Sequence, residues 1–376
     1  MRKDKQKKVV IALGVIGFVM ILLSLDSLVN KTRVVNPIAR DCQAQTNPEV
    51  EYNQYDLQGQ VLTANIFYED DNYIFYEDRI LKKFNYKKEY IENEKTILHN
   101  LSNIIPDNAK IYMMPIPKRI VWEGMQLDET KEYMSFIDEL YDIVPESVKL
   151  LDPLPKLKKH SDEYLFYRTD DSWTSRGAYY ASELLYKKMG LNPVLLEEYD
   201  EHLYRRLQGD NKTFSMDLYR NNQEIAEKIA SIPDDSSSYY LIHEGMNRAI
   251  RTKEYRGTIV NENVVLVSKV RLGNNAVIGN KYLWALAEGG SKSEEKKDKT
   301  ALLLSDLDGH MIVPFLTPYF EKVYVVNTIY HKYNEEELKM IFKQYNVSDV
   351  IIAQDSEDIG DPSKSKFFYG ILSKGN

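Results

Sequence analysis

The sequence predicts an α/β fold, with a parallel sheet flanked by helices and one transmembrane helix before it. The fold class depends on short, continuous apolar runs near the end of the chain that alternate with helical patterns. The apolar runs are 301–304, 323–326 and 350–353, and the helical patterns are 309–320 and 335–344. Continuous apolar strands separated by helices are typical of a parallel sheet that is covered on both faces.

The transmembrane helix is predicted from the N-terminal residues. Residues 1–8 are strongly basic, and the uncharged run that follows, 9–25, covers about 25 Å as a helix. Adding residues 26–29 completes a span of 9–29. Lysines before the span place the N-terminus in the cytoplasm, and no small-x-small cleavage pattern follows, so an uncleaved anchor is favoured over a cleaved signal peptide.

This interpretation divides the chain into a cytoplasmic tail (1–8), an anchor (9–29), a polar stalk (30–60) and one α/β domain (61–376). The domain then lies outside the cytoplasmic membrane, with a variable insert at about 208–260. A single cysteine, Cys42, excludes an internal disulfide.

Composition limits the class of function. A net charge of −8 over 376 residues argues against a nucleic-acid partner, which requires an excess of Lys and Arg. The 28 tyrosines suit a carbohydrate-binding surface, although a general compositional habit explains them equally well. No cofactor is predicted.

The remaining elements follow in order from periodicity and turn signals. A hairpin is predicted from 64–68 and 73–76, helices at 86–104, 128–144, 174–189 and 195–207, and strands at 110–114, 148–151 and 263–268. Thr174 is the expected N-cap of the third helix and Gly190 its C-terminal stop.

Two stretches carry the residues suited to chemistry. Residues 167–180 bring acids, hydroxyls and aromatic rings to the start of a helix, and residues 303–310 lie where a buried strand runs into the next helix. Ligands of open parallel sheets bind at the carboxyl ends of the strands. The sequence therefore predicts that the two stretches meet at one site.

The first stretch, Tyr-Arg-Thr-Asp-Asp-Ser-Trp-Thr followed by Gly-Ala-Tyr-Tyr, closely resembles the signature of the DHHW family of bacterial surface proteins. That family's pattern runs Tyr-Arg-Thr-Asp-His-His-Trp-Thr. Further similarity covers 114–118, a strand-ending Pro motif, 213–219, a loop after the signature, and 303–316, the nucleophile segment. The resemblance implies an SGNH-hydrolase-like fold, as in the alginate O-acetyltransferases, with an Asp/His/Ser triad and oxyanion contacts from Gly279 and Asn280.

The sequence departs from this pattern at the triad. Asp170 and Asp306 match the family aspartates, but Ser172 stands at the position of the base and Leu307 at the position of the nucleophile. Leucine has no nucleophilic atom, and serine cannot accept a proton near neutral pH. Loss of the nucleophile alone costs several orders of magnitude in rate.

The N-terminal anchor and the departures from the family pattern together predict a membrane-anchored protein of the cell envelope that is catalytically inactive. Its cleft would bind carbohydrate or cell-envelope proteins, as a binding or scaffolding surface. The alternative is an active O-acetyltransferase or esterase that acts on cell-surface polysaccharide through a rearranged site. If the alignment is correct, Leu307 and Ser172 face each other beside Asp170, because triad neighbours must reach hydrogen-bond distance.

Other residues near the site leave further alternatives open. Ser305 is a possible replacement nucleophile, but a strand-end serine that hydrogen-bonds the backbone is favoured. Trp173 could stack on a sugar or pack in the core. Five histidines in polar contexts are expected at the surface: His99, His160, His202, His243 and His331.

The acidic residues of the two stretches could also bind Ca²⁺ or Mn²⁺. The cluster would comprise Asp306, Asp308 and His310, with Asp170 and Asp171. Aspartates at helix starts are more often caps, so no metal is predicted.

Overall fold

The computed structural model describes residues 65–123, 128–241, 246–268, 273–279, 281–290 and 294–374. The tail, anchor and stalk predicted for 1–60 lie outside these residues. Across the described ranges, no helix combines the length and apolar character needed to span a membrane.

The strands of the described chain belong to three sheets. Their bounds are β1 Ile66–Glu69, β2 Tyr73–Tyr76, β3 Ile80–Lys82, β4 Lys110–Ile116, β5 Val148–Leu150, β6 Asp200–Leu207, β7 Asp235–Leu241, β8 Arg248–Tyr255, β9 Thr258–Val265, β10 Trp284–Glu288, β11 Thr300–Ser305, β12 Lys322–Asn327 and β13 Val347–Asp355. β1 to β3 form a small antiparallel sheet, and β6 pairs with β7. The remaining eight strands form the central sheet.

The helices are α1 Lys88–Ile104, α2 Arg119–Glu123, α3 Asp128–Ile143, α4 Leu154–Leu157, α5 Ser175–Met189, α6 Asp210–Leu218, α7 Gln223–Ser231, α8 Val313–Leu316, α9 Glu335–Tyr345 and α10 Lys366–Leu372. The predictions for α1, α3, α5 and α9 and for the β1–β2 hairpin are confirmed. Thr174 caps α5 by accepting a hydrogen bond from the Gly177 N–H, and Gly190 ends it with a φ of 78°.

The central sheet is mixed, with strand order β5-β4-β13-β11-β12-β10-β8-β9. The first five strands are parallel, as predicted, whereas β10, β8 and β9 are antiparallel. The prediction of a parallel sheet is therefore wrong for the last three strands. β8 and β9 are joined by the two-residue turn Arg256-Gly257, in which both residues have positive φ, and a connection this short can only join antiparallel strands.

Two further helix predictions need correction. Residues 200–207 form β6 rather than part of a helix, because pairing with β7 outweighs the helical spacing of their leucines. The helix predicted at 309–320 is a 3₁₀ turn, Gly309–Ile312, followed by the single helical turn of α8.

The core lies on both faces of the sheet. Every residue of β11 is buried, and its side chains alternate between two apolar clusters. Leu303 packs in the cluster that contains Trp173 and α5, and Leu302 and Leu304 pack in the cluster that contains α1 and α3. The carboxyl end of β11, where Ser305 leads into Asp306, is thereby fixed from both sides.

Candidate functional site

The signature segment, residues 164–174, is held in place by Asp235 of β7. The Asp235 carboxylate accepts hydrogen bonds from the Tyr164 hydroxyl, the Arg168 N–H (2.5 Å) and both the N–H (3.1 Å) and hydroxyl of Thr169. Burial raises the pKa of Asp235, and these hydrogen bonds oppose that rise by favouring the carboxylate. Sequence reasoning missed Asp235, which lies in a run of acids and serines that is typical of a polar loop.

Asp170 joins the signature segment to the start of α6. Its Oδ1 accepts from the Ser172 N–H at 3.0 Å, and its Oδ2 accepts from the Asp210 N–H at 2.9 Å. Gly209 makes this junction possible, since a Cβ there would lie 2.2 Å from the Thr169 carbonyl oxygen. The family aspartate therefore serves here as an acceptor for two backbone donors.

The elbow segment, residues 305–310, is held by Asp306. Asp306 Oδ1 accepts from the Gly309 N–H at 2.8 Å, and Oδ2 accepts from the Asp355 N–H at 2.6 Å. Burial, with the neighbouring Asp308 and Asp355 carboxylates, raises the pKa of Asp306 well above its ordinary value. A Cβ at position 309 would lie 2.1 Å from the Ala353 carbonyl oxygen, so the elbow requires glycine there.

Two contacts join the signature and elbow segments, as predicted. The Trp173 indole N–H donates to the Asp308 carbonyl oxygen at 3.0 Å. The Ser172 side chain also interacts with the Asp308 carboxylate and acts to lower its pKa. Burial raises the pKa of Asp308 to about 7, although Lys118 acts in the opposite direction.

A cavity of about 270 Å³ lies between the two segments. It is lined by Tyr167, Asp170, Ser172, Leu207, Gln208, Gly209, Asp210, Asn275, Asp306, Leu307, Asp308, Ile329, Asp355 and Asp358. Asp170, Ser172 and Leu307 thus share one cavity, in agreement with the alignment. The lining residues include six aspartates and, among the residues described, no Lys, Arg or His.

Lys118, two residues after β4, places a positive charge next to the acidic lining of the cavity. Lys118 is buried and forms ion pairs with Asp355 and, at 3.7 Å, with Asp171. Burial alone would lower the pKa of Lys118, but these carboxylates and Glu357 raise it well above its ordinary value. Asp171 also accepts from the Asn211 amide at 2.7 Å and is not a lining residue of the cavity.

Two further predicted site residues, His310 and Gly279, do not line the cavity. His310 is fully buried, 3.3 Å from the Tyr282 hydroxyl. Gly279 does not line the cavity, and its N–H donates to the Val277 carbonyl oxygen, so it is not available as an oxyanion contact. Asn280 lies outside the described residues.

Burial decides two alternatives that the sequence left open, the role of Trp173 and the role of Ser305. Trp173 has 0% exposure, so it packs in the core and offers no surface to a sugar. Ser305 is also fully buried, but its hydroxyl has no hydrogen-bond partner, so the expected backbone hydrogen bond is wrong. Gly309 packs against the Ser305 Cβ and encloses it.

The structure also bears on the metal-binding alternative and on the exposure of the histidines. No group of three or more His, Cys, Asp or Glu side chains in the described ranges is arranged to hold a metal ion. Of the five histidines expected at the surface, His99 is exposed, His160, His202 and His331 are half-buried, and His243 lies outside the described residues.

The cavity lies where the parallel strands β11 and β13 end, which places this chain among α/β proteins that carry a site at the carboxyl ends of their strands. The model of the DHHW protein family matches residues 59–326, and the chain therefore belongs to the DHHW family. Among curated proteins, no relative matches it.

Solved structures share the fold at low sequence identity. A DHHW family protein from Eubacterium siraeum is 16% identical with a TM-score of 0.59, over 81% of this chain and 97% of that one. PatB1 from Bacillus cereus, in a structure with a sulfonyl adduct, gives the same identity and TM-score over 81% and 99%. A second PatB1 structure is 15% identical, with a TM-score of 0.57 over 79% and 97%.

Proposed function

We propose that this protein is a cell-envelope member of its family that binds polysaccharide in the cavity and does not catalyse acyl transfer. The observation that carries the proposal is Leu307, which lines the cavity at the position where the family pattern has its nucleophilic serine. A leucine side chain cannot form an acyl intermediate.

The backbone around the cavity supports the loss of catalysis. Acyl transfer needs N–H donors aimed at the developing oxyanion. Four N–H groups near the cavity, those of Ser172, Gly209, Asp210 and Gly309, instead donate to side-chain oxygens of the protein. Each of these donors is therefore engaged before a ligand arrives.

The chemistry of the lining favours a ligand rich in hydroxyl groups. Carboxylates accept hydrogen bonds, and the side-chain amides of Gln208 and Asn275 both donate and accept. A few polar groups converging in a concave site are typical of specific recognition of small polar units. Sugar units of a polysaccharide supply matching hydroxyl groups.

Hydrolysis of p-nitrophenyl acetate by a fragment spanning 53–376, the compact unit that contains the cavity, tests the loss of catalysis. We expect turnover equal to that of buffer. The double variant Ser172→His with Leu307→Ser restores the family pattern at both positions and should gain turnover, whereas each single variant lacks one group and should not.

Binding of N-acetylglucosamine oligomers by calorimetry tests recognition, and the absence of binding would remove the proposal.

The membrane anchor is a separate part of the proposal and depends on residues 9–29. After expression in bacteria, the full chain should sediment with the membrane fraction, and a variant that begins at residue 30 should not. Full-length protein in the soluble fraction would contradict the anchor without affecting the cavity.

A second candidate function is an O-acyl esterase or O-acetyltransferase with a rearranged site. The observation that favours it is the position of Ser172 and Asp308 on the lining of one cavity, because a carboxylate with a pKa of about 7 can act as a general base toward a hydroxyl beside it. Turnover that disappears in both Ser172→Ala and Asp308→Asn, but not in Ser305→Ala, would establish this function and reject the inactive one.

A further inference from the structure

A stripe of exposed side chains leads away from the cavity along α6. Asp210, Phe214 and Leu218 are spaced four residues apart, so they lie on one face of the helix. Asp210 lines the cavity, whereas Phe214 and Leu218 are 57% and 51% exposed. The stripe extends about 12 Å beyond the cavity, at the helical rise per residue.

Neither of these two apolar side chains belongs to an apolar cluster in the described part of the chain, although Phe214 contacts Tyr73, which does. The face of α6 that packs inward carries Ser215, which is fully buried, and Met216 and Tyr219, which pack against Phe75 and its neighbours in the small apolar cluster. Phe214 and Leu218 are absent from that cluster. Their exposure in line with Asp210 leaves them open to contact with a ligand that extends from the cavity.

The Phe214 ring is supported on one side. It contacts the buried Tyr73 of β2, with ring centroids 6.5 Å apart and an angle of 41° between the planes. A ring that is held by a buried neighbour and open to solvent elsewhere loses little conformational freedom when a ligand stacks on it. Flat aromatic surfaces of this kind suit the apolar faces of sugar rings.

From this geometry we infer that Phe214 is a stacking platform for the sugar unit that follows the one in the cavity, and that Leu218 extends the contact. The inference rests on the proposed polysaccharide-binding function. The ligand class it implies is a polymer of ring sugars that enters the cavity with one end or one branch and continues along α6.

The size and position of the surface favour this occupant over a protein. Docking surfaces for proteins are contiguous apolar patches of several hundred Å². Two apolar side chains in line with Asp210 form a narrow strip that is continuous with the cavity. A narrow strip that continues a polar cavity matches an extended chain of sugar units.

Calorimetry on the 53–376 fragment with N-acetylglucosamine and its oligomers of up to six units tests the inference. Wild-type affinity should rise with oligomer length. Phe214→Ala should reduce affinity for the hexamer about tenfold and leave binding of the monosaccharide unchanged, because only the longer ligand reaches the platform. Phe214→Trp should retain the hexamer affinity.

Tyr141→Ala is the matched control. Tyr141 is 55% exposed, and it lies near the end of α3, which leads toward the amino end of β5 and thus away from the cavity. Unchanged hexamer affinity in Phe214→Ala would overturn the platform and leave the proposed function intact. An equal loss for monosaccharide and hexamer would also overturn it, because it would indicate a disturbed cavity. No binding by the wild type would overturn both.

Discussion

The signature and elbow segments enclose the same cavity but are held by different means. The acceptor that holds the signature segment lies outside that segment, since Asp235 accepts from the Arg168 N–H and is 67 residues away in sequence. Arg119, which is 48 residues from Tyr167, donates to the Tyr167 carbonyl oxygen. The acceptor that holds the elbow segment, Asp306, lies within that segment, where it caps the turn at Gly309 and also accepts from the Asp355 N–H of the neighbouring strand, 49 residues away.

This difference separates the residues that shape the cavity from those that would perform chemistry. Asp235, Asp170 and Asp306 accept backbone hydrogen bonds, and removal of Asp235 or Asp306 would leave buried donors unpaired. The Leu307 side chain cannot accept a hydrogen bond, and the Ser172 side chain interacts with the Asp308 carboxylate rather than with a backbone donor. A protein can therefore replace its base and nucleophile while the cavity between them persists.

Asp235→Ala provides the strongest test of this comparison. Loss of one buried carboxylate leaves several donors of the signature segment without an acceptor, and we expect the free energy of unfolding to fall by about 3–5 kcal/mol. Urea denaturation followed by circular dichroism measures the change. Asp217→Ala, at a highly exposed position of α6, should change stability by less than about 0.5 kcal/mol. A similar small effect at Asp235 would contradict the role given to it.

Trp173→Phe tests the connection between the two segments. The variant removes the hydrogen bond to the Asp308 carbonyl oxygen and leaves a small void at a fully buried position. We expect a loss of about 2 kcal/mol by urea denaturation. Phe166→Leu nearby in the same core cluster removes ring volume without a hydrogen bond, so comparison of the two isolates the effect of the connection. Equal losses would indicate that packing alone joins the segments.

Asp308→Asn should have the smallest effect and one that depends on pH. The folded protein raises the pKa of Asp308 from 3.8 to about 7, so it holds this proton more tightly than the unfolded chain does. The associated stability is present below pH 4 and is lost as pH rises toward 7. Asp308 is partly exposed, and solvent screening limits the loss to about 1–2 kcal/mol.

Measuring the free energy of unfolding at pH 4.5 and pH 8 for both proteins tests this sign. The wild type should lose stability relative to Asp308→Asn over that interval. A relative gain would mean that the folded protein favours the ionised carboxylate, and Asp308 would then not be a group that titrates near neutral pH.

The sequence predicted those parts of the fold that depend on local patterns. Apolar runs located β11, β12 and β13, and Thr174 and Gly190 marked the ends of α5, because buried strands and helix caps each favour particular residue types. It did not predict β6, whose leucines also fit a helix, or the antiparallel strand β8, and it placed the strand that overlaps β9 at 263–268 rather than Thr258–Val265. Those elements depend on which strand lies beside them, and single-sequence periodicity does not contain that information.

The same division applies to the candidate site. The resemblance to the family located Ser172 and Leu307 at one cavity, because a match to a family motif also indicates where the residues of that motif lie in the fold. It could not identify Asp235 as the central acceptor of the signature segment or show that Trp173 is inaccessible. Both facts depend on burial and on contacts between residues far apart in sequence.

The close approach of Gly209 to the Thr169 carbonyl oxygen also bears on how a ligand could enter. With no room for a side chain at this junction, and with the Gly209 and Asp210 N–H groups bonded to Thr169 and Asp170, the first turn of α6 cannot swing away from the signature segment by itself. A hinged lid at this wall would have to break all of these contacts, together with the hydrogen bonds from the Asn211 amide to Asp171 and from the Lys212 N–H to the Thr169 carbonyl oxygen. We therefore expect α6, and with it the position of Phe214, to be the same in the protein with and without a bound ligand.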